Sequence, residues 1–261
     1  MKPYLLIDTT LLGDLDGKPW LKRNRQPVWI APLYGRDAIE VSPVVVDVES
    51  AINNDRIAAM MALVNARTPQ VGVSFIETTL SLREIVQHLQ KFTFILTPDG
   101  EELTLRFADC LVLPALAITA TPAQWSALVG PFSSWKVHGR DGWLLALPMQ
   151  STDVADAPPL VFSGTQLAEL KEAMGIDQLL FNLKNTMPSR SSFLATPKAY
   201  ELASSARQIW REAGHSDGVE LLRFLHLVFE TDGNILTAPL LRNFLAQKNY
   251  ALLHEDLTRL L

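Results

Sequence analysis

One cysteine, Cys110, stands in a chain of 261 residues. A lone thiol excludes an intrachain disulfide and a cysteine-built zinc cluster. An excess of positive charge is missing too. The 23 Lys and Arg residues face 28 Asp and Glu, a formal net charge of -5. It is spread over both halves with no basic tail, so the clustered footprint of a nucleic-acid binder is absent. The single basic run, Lys22-Arg23-Asn24-Arg25, reads as a solvated loop in preference to a phosphate contact. No window reaches the ~18 uninterrupted apolar residues of a membrane span. The opening Met-Lys-Pro-Tyr-Leu-Leu-Ile-Asp has an apolar stretch too short for a signal-peptide core. The expectation is a soluble, cytoplasmic chain with neither membrane nor nucleic acid as partner.

Catalytic signatures are equally scarce. The chain has no G-x-S-x-G elbow, no phosphate-cradling G-x-x-x-x-G-K-[ST] loop and no G-x-G-x-x-G. Gly13-Asp14-Leu15-Asp16-Gly17 glances at a calcium loop. With Gly17 at the sixth position, however, Leu12 would be first and Arg23 twelfth, and neither suits calcium. His254-Glu255 lacks the second histidine of a zinc protease helix. The five histidines are scattered, and no cofactor or metal is expected. His88, at the edge of an apolar helix stripe, reads as a hydrogen-bonded structural histidine. Cys110, at the head of an apolar segment, reads as buried and inert.

What is present is an ordinary globular composition, 48% apolar and 20% charged, arranged in two parts. Strands are expected at Tyr4–Ile7, Val44–Val48 and Val71–Phe75, with a helix from Asn53 or Asn54 to about Arg67. Ser81 and Glu84 form a capping box ahead of the stripe Leu82, Ile85, Val86 and Leu89. Phe92, Phe94 and Leu96 alternate into the Pro98-Asp99-Gly100 turn, and Leu103, Leu105 and Phe107 alternate back as a hairpin. Thr121-Pro122 opens a short helix. Trp135–His138 and Trp143–Leu147 make a second hairpin. The polar, proline-ended stretch 151–159 reads as a linker. Beyond it come capping boxes at Ser163 with Gln166 and at Asp217 with Glu220, and a helix start at Thr196-Pro197. Further helices are expected over Thr237–Gln247 and Tyr250–Leu260. The fold class is therefore α+β: a mixed lobe over 1–150 with a small sheet and hairpins, and an all-helical lobe over 160–261.

Two constellations merit separate weighing. Alternation puts Arg106 opposite Leu105 and Phe107, with Asp109 just past the strand end, so the pair reads as a charge contact fixing the strand-to-helix junction. Trp20 and Trp29 flank the basic, proline-containing loop and are expected to be exposed. With Arg23, Arg25 and Tyr34 they are the candidate partner-binding residues.

The ordered series Tyr4-Leu5-Leu6-Ile7-Asp8, Pro32-Leu33-Tyr34, Ser42-Pro43-Val44-Val45-Val46, Ser81-Leu82-Arg83-Glu84 to His88-Leu89, Pro98-Asp99-Gly100, Leu105-Arg106-Phe107-Ala108-Asp109 and Gly130-Pro131 to Trp135 resembles the type VI secretion effector adaptors, or Tap/TEC chaperones. The resemblance covers residues 4 to 138. Cys110 stands where these proteins commonly have proline, and Ala108 where they commonly have an aromatic residue. Ser81, Glu84, His88, Arg106 and Asp109 are the structural motif residues. The resemblance implies a non-enzymatic cytoplasmic protein that binds a toxic secreted effector and helps load it onto the VgrG spike. Two other readings stand beside it. One is a hydrolase-like enzyme using Arg106, Asp109 and His138, and the other a nucleic-acid or phosphopeptide binder using Lys22, Arg23 and Arg25.

Overall fold

The computed structural model describes residues 1–11, 27–66, 70–149 and 158–246, together with Glu255. The chain forms two compact units, Met1–Met174 and Gly175–Leu261. In the first, the described strands are β1 (Lys2–Ile7), β2 (Ile30–Pro32), β3 (Val44–Asp47), β4 (Val73–Thr78), β5 (Phe94–Leu96), β6 (Glu102–Thr104), β7 (Phe132–His138), β8 (Leu144–Ala146) and β9 (Leu160–Val161). Its helices are α1 (Val48–Asn53), α2 (Ile57–Val64), α3 (Leu82–Gln90), α4 (Val112–Thr119), α5 (Pro122–Val129) and α6 (Gly164–Ala173). The second unit carries α7 (Gly175–Thr186), α8 (Pro197–Glu212), α9 (Gly218–Glu230) and α10 (Leu241–Leu245), with short 3-10 turns between them. The expected α+β class, with a sheet-bearing part followed by helices, is what the molecule shows. No helix among the described residues is long and apolar enough to cross a membrane.

The larger sheet runs β2-β3-β1-β4-β7-β8, antiparallel throughout. Tyr4–Ile7 of β1 and 44–46 of β3 are unbroken apolar runs because both faces are covered there. Tyr4, Leu6, Val45, Ile76 and Trp135 enter one core with Ile85 and Leu89 of α3 and Trp125 and Leu128 of α5. Leu5, Ile7, Val44, Val46 and Val73 enter another with Ala51 of α1 and Met60, Leu63 and Val64 of α2. The smaller sheet, β6-β5-β9, sets β5 between an antiparallel and a parallel neighbour.

Three local expectations change. The single helix expected from Asn53 or Asn54 is two. The first is capped by Asp47, whose side chain accepts from Ser50 N–H at 2.8 Å. Asp55, in the left-handed region at φ 56°, separates it from the second. The capping signal thus lay on a residue that also ends a strand. In the first hairpin, Phe94 and Leu103 are exposed and Ile95 is the buried residue of β5. Phe92 and Thr93 still belong to the turn closing α3, since Phe92 N–H bonds Leu89 O and the Thr93 hydroxyl bonds Gln90 O. The alternation therefore starts one residue later. The helix expected over Thr237–Gln247 is described only as α10, after a 3-10 turn at Asn234–Thr237. Pro239 lies between them and supplies no N–H to an earlier carbonyl. Residues 247–250 and all of Tyr250–Leu260 except Glu255 lie outside the described residues.

The break between units also moves. Most of the expected 151–159 linker lies outside the described residues, and the division falls between Met174 and Gly175. Residues 160–174 stay with the sheet for two reasons. β9 pairs with β5, and Phe162 is fully buried in the core beneath α3 and α5. Gln124, the reciprocal residue of the Thr121 capping box, also donates to Val161 O at 2.7 Å and accepts from Gln166 at 2.7 Å.

In the second unit, Ala199, Ala203 and Ala206 give α8 a small-residue face, and Trp210 stacks on Phe224 at 5.7 Å. Thr196 caps α8 as expected. Asp217 caps α9 by accepting from Val219 and Glu220 N–H without the reciprocal bond of a box, the Glu220 carboxylate being taken by Arg223 at 2.8 Å. After α9 the chain reverses through Gly233 at φ 88°, where an added Cβ would lie 2.5 Å from Leu202 Cδ2. Gly233→Ala is expected to lower unfolding free energy by about 1–3 kcal/mol. Urea unfolding would measure this, and an unchanged midpoint would contradict it.

Candidate functional site

Asp8 follows the last residue of β1 and is held there by its own N–H bonding to Gly72 O at 2.8 Å. Its Oδ1 accepts from Thr10 N–H at 3.0 Å and from the Thr10 hydroxyl at 2.6 Å, a local turn that aims the carboxylate. Oδ2 accepts from Arg106 Nη2 at 2.8 Å. Asp109 Oδ2 lies 3.6 Å from the same nitrogen, and its Oδ1 accepts from Leu111 N–H at 3.0 Å ahead of α4. The side chain of Arg106 is 49% exposed, against 4% for Asp8 and 10% for Asp109. One guanidinium at the surface thus serves two carboxylates behind it. Burial pulls the Arg106 pKa down, but the hydrogen bond and charge of Asp8, with the charge of Asp109, outweigh it and leave it raised. The expected Arg106–Asp109 contact is present, and the shorter bond goes to Asp8.

This ion pair closes one end of a cavity of about 560 Å³. Leu33, Ala38, Val41, Pro43, Phe94 and Ala108 form its apolar wall. The wall is pinned by backbone-directed bonds. Tyr34 N–H donates to Ser42 Oγ at 2.8 Å, Leu33 N–H to Pro43 O at 2.9 Å, and the Gln90 amide to Leu33 O at 3.0 Å. Tyr34 also borders the cavity, and its phenol is raised by burial and then by the charge of Asp8, with Arg106 opposing. A second cavity of about 640 Å³ shares Tyr34, Gly35 and Gln90 and continues along α3 past Leu82, Val86 and Gln87. The two cavities, with Tyr34 bordering both, are together the groove referred to below.

The motif residues at the start of α3 and along it make hydrogen-bonded contacts. Glu84 Oε2 accepts from Ser81 N–H at 2.8 Å and from its hydroxyl at 2.7 Å, and these bonds lower the Glu84 pKa. His88 Nε2 donates to Leu128 O at 2.7 Å, since a carbonyl only accepts. The ring packs between Phe92 and Phe132, and burial lowers its pKa. His138 is buried, with Nδ1 donating to Val73 O at 2.8 Å. The Cys110 thiol donates to that carbonyl at 3.2 Å. Burial, first among several causes, pushes the thiol up to about 12, so the inert reading of Cys110 agrees with its setting. No group of three or more His, Cys, Asp or Glu among the described residues could hold a metal ion.

Of the candidate partner-binding residues, Tyr34 borders the groove. Trp20, Arg23 and Arg25 lie outside the described residues, as does Lys22. Trp29 is buried in the core beneath α1 and α2, which corrects its expected exposure. Its neighbours Val28 and Ile30 take opposite environments, the first exposed and the second buried, so proximity to a polar loop said little about the indole. Among the described residues the exposed tryptophan is Trp143, at 77%. Asp8, Gln90 and Phe94 were not foreseen at the site. Asp8-Thr9-Thr10 carried a signal, since Asp two residues before Thr suits a side-chain turn.

The residues lining the cavity therefore come from the separate motifs around Asp8, Leu33-Tyr34, Pro43, Gln90 and Arg106. Residues 3–127 match a family model described as a domain of unknown function, DUF4123. The groove lies entirely within this DUF4123 segment. No curated protein and no solved structure matches the chain.

Two measurements check this site. Arg106→Met leaves the Asp8 carboxylate without its charged donor and is expected to cost about 1–3 kcal/mol in chemical unfolding. Unchanged stability would mean that the contact is dispensable. Cys110 is expected to be unreactive to a disulfide reagent at pH 8 in the folded protein and to react at once in guanidinium. Rapid reaction of the folded chain would contradict its burial.

Proposed function

We propose that the chain is a non-enzymatic adaptor that binds a toxic secreted effector and promotes its loading onto the VgrG spike of a type VI secretion system. The observation that carries this reading is the convergence of the dispersed motifs of the DUF4123 segment on one groove. They resemble effector adaptors in their order. The groove's composition suits the role. An apolar wall ending in a mutually satisfied Asp8–Arg106 pair accepts an apolar side chain of a polypeptide without burying an uncompensated charge. The phenol of Tyr34, amphipathic and half-buried, is a residue type enriched where proteins meet. The helical second unit is the part that sets partner choice.

The hydrolase-like alternative requires His138 to act with Arg106 and Asp109. The bond from His138 to the Val73 carbonyl, in a buried setting, gives that alternative no support.

Co-expression with the toxin and the spike protein encoded beside the gene tests the proposal. Both are expected to co-purify with the chain, and Phe94→Asp, an exposed position on the groove, is expected to weaken toxin capture roughly tenfold, about 1.4 kcal/mol. Failure to bind either protein would overturn the adaptor reading. Binding unchanged by Phe94→Asp would remove the groove from it.

A further inference from the structure

Four described strands end the two sheets of the first unit: β2 and β8 in the larger, β6 and β9 in the smaller. An open edge offers unpaired backbone donors and acceptors to any other extended chain, and proteins blunt such edges with proline, charge or brevity. Three are blunted here. The strand β2 is three residues long and ends on Pro32. Glu102 opens β6 directly after Glu101. The strand β9 has two residues and follows Pro158-Pro159.

The fourth edge, β8, is as short as β2 and β6, but it has neither proline nor charge. Trp143-Leu144-Leu145-Ala146-Leu147 holds neither charge nor proline. Its inner side is fully used: Gly139 N–H donates to Trp143 O at 2.8 Å, Leu147 N–H donates to Trp135 O at 2.9 Å, and Leu145 stands opposite Val137. The alternation of an antiparallel ladder then turns the N–H and C=O of Leu144 and Ala146 outward, away from β7. Leu144 and Leu145 point to opposite faces of the sheet, yet each is 50% exposed. The edge is thus apolar on both faces, and no described strand pairs with its outer backbone.

We propose that β8 pairs antiparallel with β8 of a second copy of this chain, joining two six-stranded sheets into one. An occupant of this edge must be extended, uncharged and apolar on both faces, and β8 itself meets each condition. With a two-fold axis at Leu145, Leu144 of one copy faces Ala146 of the other, and every outward N–H meets an outward C=O. The contact is self-complementary, as a closed dimer requires. The preceding turn carries Arg140 and Asp141, one charge of each sign, so it brings no net like-charge repulsion to the seam. This inference is independent of the adaptor reading, because it concerns the chain and its own copy.

Sedimentation velocity of the full chain over a concentration series tests it. A monomer–dimer equilibrium is expected. Leu144→Pro removes an outward N–H while sparing the Leu145 and Leu147 bonds to β7, and should raise the dimer dissociation constant roughly tenfold or more. Leu145→Lys, which sets like charges face to face at the axis, should do the same without touching the backbone. Hydrogen exchange supplies the positional readout. The Leu144 and Ala146 amides should slow as the dimer forms, whereas those of Leu145 and Leu147 should be slow at every concentration. A chain that stays monomeric throughout overturns the proposal, as does a dimer indifferent to both variants. Protection of Leu144 and Ala146 that appears only when the purified toxin is added also overturns it, and would assign the edge to a foreign strand.

Discussion

The Arg106 guanidinium satisfies a carboxylate that the fold has withdrawn from water at the end of β1, and the groove is organised around that bond. Asp8 cannot sit behind the cavity without a charged donor, and the donor must come from a part of the chain folded against it. Arg106 arrives from the far side of the β5–β6 hairpin, 98 residues later. Its second carboxylate, Asp109, ties the same point to the start of α4. The first strand, the hairpin and the fourth helix are thereby fixed to one another at a single polar node, and the loops bearing Leu33, Tyr34 and Pro43 close over the apolar space beside it. The groove is a by-product of satisfying one buried charge within a continuous core.

Local features were the legible ones. The capping boxes at Ser81 and Ser163 form as their spacing dictates, and Thr121-Pro122 opens its helix, because each is settled within four residues. The turns at Gly100 and Gly142 take positive φ, and each joins two strands as expected. The Arg106–Asp109 contact could be anticipated for the same reason, being three residues apart. The Asp8–Arg106 bond could not, since neither residue points to the other in one dimension. The errors share a cause. Phe94 was misassigned because the phase of a strand depends on where the preceding turn ends. Trp29 was misassigned because its cover, α1 and α2, is a tertiary fact. The boundary at 151–159 was displaced because composition signals a break in local order, whereas Leu160, Phe162 and Gln166 continue to pack on what precedes them.

Edges and runs tell a related story about the larger sheet. At β1 and β3 both faces are covered, so the sequence is continuously apolar and the structure buries it. At β8 the sequence is just as apolar, but β8 is the last strand of the sheet. Composition alone does not separate a strand that is apolar because it is interior from one that is apolar at an open edge. The distinction comes from the order of strands, with Trp135 fully buried on β7 and Trp143 standing exposed one hairpin turn later.

Gln124 carries a consequence for what counts as a domain in this chain. Its side chain closes the Thr121 cap inside the DUF4123 segment and also holds Val161 and Gln166 outside it. The sheet shares this dependence, because β7 begins after residue 127 and supplies Trp135, whose indole N–H bonds Ser74 on β4. The stretch that the family model matches is therefore shorter than the compact unit that contains it. A fragment cut to the family's limits would expose β4 as a raw sheet margin and strip β9 from β5, while one ending at Met174 would keep both sheets whole. The matched segment and the compact unit have different lengths here, and a glutamine side chain spans the difference.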